Sequence, residues 1–369
     1  MSDINVFIVD DSAVVRKVLT QMLNGASGIT VIGAAQDPIF AEARMKAQWP
    51  DVIVLDVEMP RMDGLTFLKK IMSEHPTPVI MCSTLTEEGS RTSIKALSHG
   101  ALDVVAKPKA SLNKTLPEAS KALINAIRAA AKAKISQVRR TPLPAPTLNA
   151  AKHTAPKLNA DAMISRPSAN ARPGLGAGPV IAMGTSTGGT QALEAVLPHL
   201  PTNVLPILVV QHMPEKFTKA FADRLNGICQ VQVKEAEDND KLLVGRVLIA
   251  PGGQHMMMEY NRAGGAFVRV KDGPLVSRHK PSVDVLFRSV SKCAGSQALG
   301  VIMTGMGDDG ATGLREMYDA GAVTLAQDEA SCIVYGMPAV AVKKGGVTSV
   351  VPLSDIAANI IAYSKQRTT

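Results

Sequence analysis

Short apolar runs rich in β-branched residues recur along this chain of 369 residues, each followed by a longer segment with helical spacing. NVFIVD, DVIVLD, PVIMCS and DVVAKP mark the first part, and PVIAMG, PILVVQH, RVLIAP, LGVIMTG and AVTLAQD mark the last. Strands without polar alternation are covered on both faces, and intervening helices imply parallel pairing. The chain is expected to be α/β, with functional residues gathered beyond the carboxyl ends of its strands.

The two blocks are separated by residues 139–178, which hold six prolines and nine alanines, no aromatic residue and no apolar period. This composition predicts a disordered linker. A helix former, PEASKALINAIRAAAKAKISQV, precedes it, with apolar positions at Leu123, Ile124, Ile127, Ala131 and Ile135. The expected domains are therefore 1–138 and 179–369, each long enough to bury its own core. The net charge of +8 belongs to the connection: residues 121–178 carry ten Lys or Arg against Asp161 alone, which leaves the remainder slightly negative. Composition thus shows no basic face for nucleic acid. The opening MSDINVFIVDDS has no basic leader pattern and no apolar run is long enough to span a bilayer, so a cytoplasmic location without membrane insertion is expected. The four cysteines lack CxxC spacing and read as buried thiols, with neither disulfides nor zinc expected.

In the first block, strand ends deliver Asp10 and Asp11, then Asp56, Ser83 and Lys107. Carboxylates suit a hard cation, a lysine and a hydroxyl suit phosphoryl oxygens, and a carboxylate can accept a phosphoryl group. Each has a bland reading: Asp11 and Ser12 could cap a helix, Asp56 could open a turn, and Lys107 could be a surface lysine. Their joint order along successive strands favours the phosphoryl reading.

In the second block, GTSTGG raises a choice between phosphate cradle and nucleophile. Ser186 stands where a dinucleotide fingerprint needs its middle glycine, and Thr190 stands where a P-loop needs lysine. Gly184-Thr185-Ser186-Thr187-Gly188 instead fits GxSxG, which exposes a serine on a tight turn. Taken alone that motif is common and reads more readily as a structural turn, so the nucleophile reading requires a base and an acid. His212 ends PILVVQH on the same expected sheet edge and stands ahead of His255 and His279. Asp309 is the leading acid, with Asp308 beside it as the main rival and Asp284 and Asp328 behind.

VDDS, LDVEMPRMDGL, CST and VAKP, in that order, resemble the receiver domains of bacterial response regulators. The resemblance implies a doubly wound (βα)5 fold, phosphotransfer from a histidine kinase to Asp56, and Mg2+ held by Asp11, Asp56, the Glu58 carbonyl and, through water, Asp10. It puts Ser83 and Lys107 in the phosphoryl switch and Val104 where many receivers carry an aromatic residue. GTSTGG, QHM, IAPGGQHM, HKPSVD and TGMGDDG resemble the chemotaxis protein-glutamate methylesterases over nearly all of 179–369. That implies a doubly wound, mostly parallel domain with Ser186 as nucleophile, His212 as base, Asp309 rather than Asp308 as acid, and oxyanion amides near Thr187 and Met306. It also implies methyl-ester hydrolysis, and glutamine deamidation, on chemoreceptor cytoplasmic helices, with no cofactor for the esterase and with the unphosphorylated receiver acting as its lid. A DNA-binding response regulator is the alternative, opposed by an output block too large and strand-rich for a helix-turn-helix.

Overall fold

The computed structural model describes residues 3–84, 86–108, 116–133, 157–166, 178–261 and 265–367. The chain divides into two units, Met1–Val138 and Arg139–Thr369. No helix among the described residues is long and apolar enough to cross a membrane.

The first unit alternates β1 (Ile4–Val9), α1 (Ala13–Asn24), β2 (Ile29–Ala35), α2 (Pro38–Met45), β3 (Val52–Asp56), α3 (Gly64–Glu74), β4 (Val79–Ser83), α4 (Glu87–Ser98), β5 (Asp103–Ala106) and α5 (Leu116–Ala130). Its sheet runs β2-β1-β3-β4-β5, and every pair is parallel. The side chains of Ser12, Asp37 and Asp63 accept backbone amides at the starts of α1, α2 and α3, satisfying donors that a helix cannot satisfy itself. Ser12 is thus the cap, and Asp11 is left to the pocket. The order reverses between β1 and β3, so the crevice beyond their carboxyl ends lies between Asp10 and Asp56.

The second unit comprises β6 (Val180–Thr185), α6 (Gly189–Val196), β7 (Ile207–Gln211), α7 (Phe217–Ile228), β8 (Gln232–Glu235), β9 (Arg246–Ile249), β10 (His255–Asn261), β11 (Gly265–Lys271), α8 (Val283–Ala294), β12 (Ala298–Ile302), α9 (Ala311–Asp319), β13 (Val323–Gln327), α10 (Met337–Lys343), β14 (Ser349–Val351) and α11 (Leu353–Lys365). Seven strands form a parallel sheet in the order β14-β13-β12-β6-β7-β9-β8, while β10 and β11 make a separate antiparallel hairpin. The sequence runs identify β6, β7, β9, β12 and β13, but not β8, β14 or the hairpin. β8 and β14 are short edge strands of mixed polarity, so neither shows an apolar run. Helix α8 is enclosed: Leu286, Phe287 and Val290 are fully buried in a core with Val180, Ala182 and Ile302 of the sheet and Met256 and Val268 of the hairpin.

The expectation of a disordered connection over 139–178 needs correction at residues 157–166; residues 139–156 and 167–177 lie outside the described residues. Asn159 caps a 3-10 turn at Ala160–Ala162. Ala160 is buried with Met257, Val276 and Val285, and Met163 and Ile164 pack alongside. Asp161 lies 2.5 Å from Arg288, a guanidinium only 1% exposed on α8. Ten residues with three small anchors are too few to show a period, yet a buried cation needs counter-charge, and this segment supplies part of it.

Candidate functional site

The first unit gathers its predicted residues at one sheet edge. Asp10, Asp56 and Ser83 are buried, and Lys107 Nζ lies 2.8 Å from Asp10 Oδ2 and 2.7 Å from Asp56 Oδ2. Oxygens of Asp10, Asp11 and Asp56 come within 4.8 Å of one another. Burial pushes the Asp56 carboxyl up to about 6, and Asp10 adds to that while Lys107 opposes it. One ammonium against three clustered carboxylates leaves negative charge uncompensated, and all the donors are oxygens, so the pocket fits a hard divalent cation. Glu58 is exposed on the loop after β3, and Val104 is buried within β5.

In the second unit, Ser186 follows β6 directly. Its amide donates to Thr304 O at 3.0 Å and its carbonyl accepts from Gly189 N at 2.7 Å. Gly188, with φ 78°, reverses the chain into α6, a conformation that would strain a side-chain-bearing residue. A Cβ on Gly305 would lie 2.7 Å from Ser186 Cβ, so the strand β12 exit can approach the serine this closely only through a glycine. The turn thus has the tight strand-to-helix geometry of a GxSxG elbow.

His212 follows β7, which pairs in register with β6 from Ile181↔Ile207 to Thr185↔Gln211. That register puts the residues one step beyond, Ser186 and His212, side by side, and His212 N donates to Thr185 O at 3.1 Å. Gln211 holds the corner, donating through Nε2 to the carbonyls of Ser186 and His212 at 3.0 Å each.

His212 Nε2 lies 2.8 Å from Asp309 Oδ2, while His212 Nδ1 is buried without a hydrogen-bond partner. Asp309 also accepts from the Ser282 hydroxyl (2.8 Å) and the amides of Val283 (2.7 Å) and Asp284 (3.1 Å) at the start of α8. Burial raises its carboxyl above the ordinary range, and these donors oppose the rise. Burial holds His212 down to about 3, so at neutral pH the imidazole is uncharged.

The carboxyl-terminal unit matches the CheB methylesterase family model over residues 181–360, and the first unit matches the response regulator receiver domain over 6–116. A Shewanella oneidensis protein-glutamate methylesterase/protein-glutamine glutaminase is 58% identical over 98% of this chain and all of its own length. A relative of the same description from Chromobacterium violaceum is 58% identical over 96% of this chain and 97% of its own. The chain belongs to the CheB methylesterase family. It is also similar to the crystal structure of the Thermotoga maritima CheB methylesterase catalytic domain, with 35% identity over 50% of this chain and 98% of that one and a TM-score of 0.49.

The rival residues of this CheB-family chain separate by geometry. His255 is fully buried, its Nε2 on Pro274 O and its Nδ1 accepting the Ser282 amide, so it shapes the loop behind the acid. Asp308 pairs with Lys157 at 2.5 Å, while the carboxylate on His212 Nε2 is that of Asp309. Asp284 accepts from Ser277 Oγ and from the amides of Thr312 and Gly313. Asp328 holds Ser331 N instead. His279 stacks on His212, with ring centroids 3.7 Å apart and planes 6° from parallel; burial, and then His212, hold it down to about 3 as well. Sequence reasoning kept His279 only as a rival base, and it missed Ser282, whose position before an apolar helix was the available signal.

Proposed function

We propose that this chain is a protein-glutamate methylesterase and protein-glutamine glutaminase, acting on the cytoplasmic helices of chemoreceptors and activated when a chemotaxis histidine kinase supplies a phosphoryl group to Asp56. The single observation that carries the chemistry is the 2.8 Å contact of His212 with Asp309, on an imidazole whose other nitrogen is unpartnered on the strand next to Ser186.

Ser186 Oγ attacks the side-chain carbonyl carbon, His212 Nδ1 takes its proton, and the C–O bond to methoxide then breaks as that proton passes to the departing methanol. Water reverses the sequence on the acyl-serine, leaving glutamate and the free hydroxyl. A glutamine side chain follows the same path with ammonia leaving. Asp309 keeps the proton on Nε2 and stabilises the transient imidazolium. The amides of Thr187, at the start of the α6 turn, and of Met306, next to Gly305, are assigned to the developing oxyanion. The esterase steps use no cofactor. In the receiver, Asp10, Asp11, Asp56 and the Glu58 carbonyl would hold Mg2+, which offsets the charge of the incoming phosphoryl group, while Ser83 and Lys107 meet its oxygens.

Methanol release from methylated receptor, with and without a small-molecule phosphodonor, tests the whole reading. Release that depends on Ser186 and rises with phosphodonor is expected; release from Ser186→Ala at the parent rate would overturn it.

A further inference from the structure

The loop that carries His279 is held in a backbone conformation its sequence does not favour. Ser277 and Arg278 take positive φ values of 51° and 71°, between Val276 and His279, whose backbones exchange hydrogen bonds of 3.1 and 2.8 Å. Such a two-residue turn ordinarily selects Asn and Gly. A strained turn persists only where its surroundings determine it. Here the surroundings are residues 157–166. Ser277 N donates to Leu158 O at 2.8 Å, Val276 is buried against Ala160, and Asp161 with Ile164 O holds Arg288, which Glu316 grips from the other side. The turn in turn presents His279 flat against His212.

We propose that residues 157–166 are a positioning strap belonging to the esterase unit, which holds the Ser277–Arg278 turn so that His279 stacks on His212 and fixes the plane of the general base. The strap and His279 are positioning groups, since both act through the His212 ring. A ring free to rotate about its side-chain bonds would lose the alignment of Nε2 with Asp309 and with it the direction in which Nδ1 points, and misplacement of this kind costs rate rather than substrate binding. The inference rests on the triad assignment of Ser186, His212 and Asp309.

The test is a double-mutant cycle in the full-length chain, read as methanol release from methylated receptor. Ala160→Asp puts a charge in the apolar contact under Val276, and His279→Ala removes the stack. Each is expected to lower kcat by about 10- to 100-fold with KM within about twofold of the parent. Combined, they are expected to be no worse than the poorer single variant, because both act through one ring. His279→Phe, which keeps a flat ring, is expected to restore most of kcat. Amide exchange should show protection lost at Ser277 and kept along α8. Should Ala160→Asp unfold the unit, Asp161→Asn, which leaves Arg288 its Glu316 partner, takes its place in the cycle. An unchanged kcat in either single variant, losses that multiply in the double, or a His279→Phe variant as slow as His279→Ala would overturn the proposal. Ser186→Ala in the same assay separates the two failures: activity persisting there would sink the triad, whereas its loss beside an unaffected strap variant sinks the strap alone.

Discussion

At the scale of single residues, the two adjacent aspartates give the sharpest contrast. Asp309 is 1% exposed and accepts from four donors, whereas Asp308 pairs with an exposed lysine, Lys157. Asp309→Asn is expected to cut turnover by about a thousandfold or more, since the amide fixes the wrong imidazole tautomer; Asp308→Asn should stay within about threefold, as rim ion pairs contribute little. Parallel kcat measurements on methylated receptor decide this. The depressed histidines also predict a pH response. Burial holds His212 and His279 down to about 3, below the ordinary imidazole value of 6.5, so the unfolded chain binds more protons at acid pH. Their contribution to stability is complete above about pH 6.5 and is lost as pH falls from there toward 3. A denaturation midpoint that rises on acidification across that window would contradict it. By the same token, labelling of Ser186 by a fluorophosphonate should continue well below the ordinary histidine value, because the base stays neutral.

At the scale of elements, α8 joins the core to the site. Its first turn supplies the amides and the Ser282 cap that hold Asp309, while its length is buried between sheet and hairpin. Phe287→Ala should therefore cost about 3–5 kcal/mol, measured by urea unfolding, and should slow catalysis as Asp309 loosens. Ser282→Ala removes both the helix cap and a hydrogen bond to the acid, so a loss of about 1 kcal/mol accompanied by a larger loss in kcat is expected. The pattern of apolar runs made β6, β7 and β12 legible, and with them the edge where Ser186, His212 and Asp309 stand. It could not reveal the β10–β11 hairpin or the ordered 157–166 segment. Those owe their place to what they cover, an enclosed helix and a buried guanidinium, and not to any period of their own.

At the scale of the whole molecule, two parallel sheets carry two chemistries on one chain, a carboxylate pocket in one unit and a serine elbow in the other. Asp56→Asn should abolish any rise in methanol release on adding phosphodonor; a response equal to that of the parent would place the acceptor elsewhere. The sequence by itself determined the α/β class, the order of the strands that end in Asp10, Asp56, Ser186 and His212, and the residue types at those ends. These follow from apolar runs, glycines and side-chain chemistry, all of which are local. Sequence put Asp309 ahead of Asp308, but only the tertiary structure shows the contact of Asp309 with His212, the stacking of His279 on that ring, and the packing of residues 157–166 against the turn that carries it. Contacts between residues far apart in the chain, such as Asp161 with Arg288 at a separation of 127, arise from packing and leave no periodic trace along the chain.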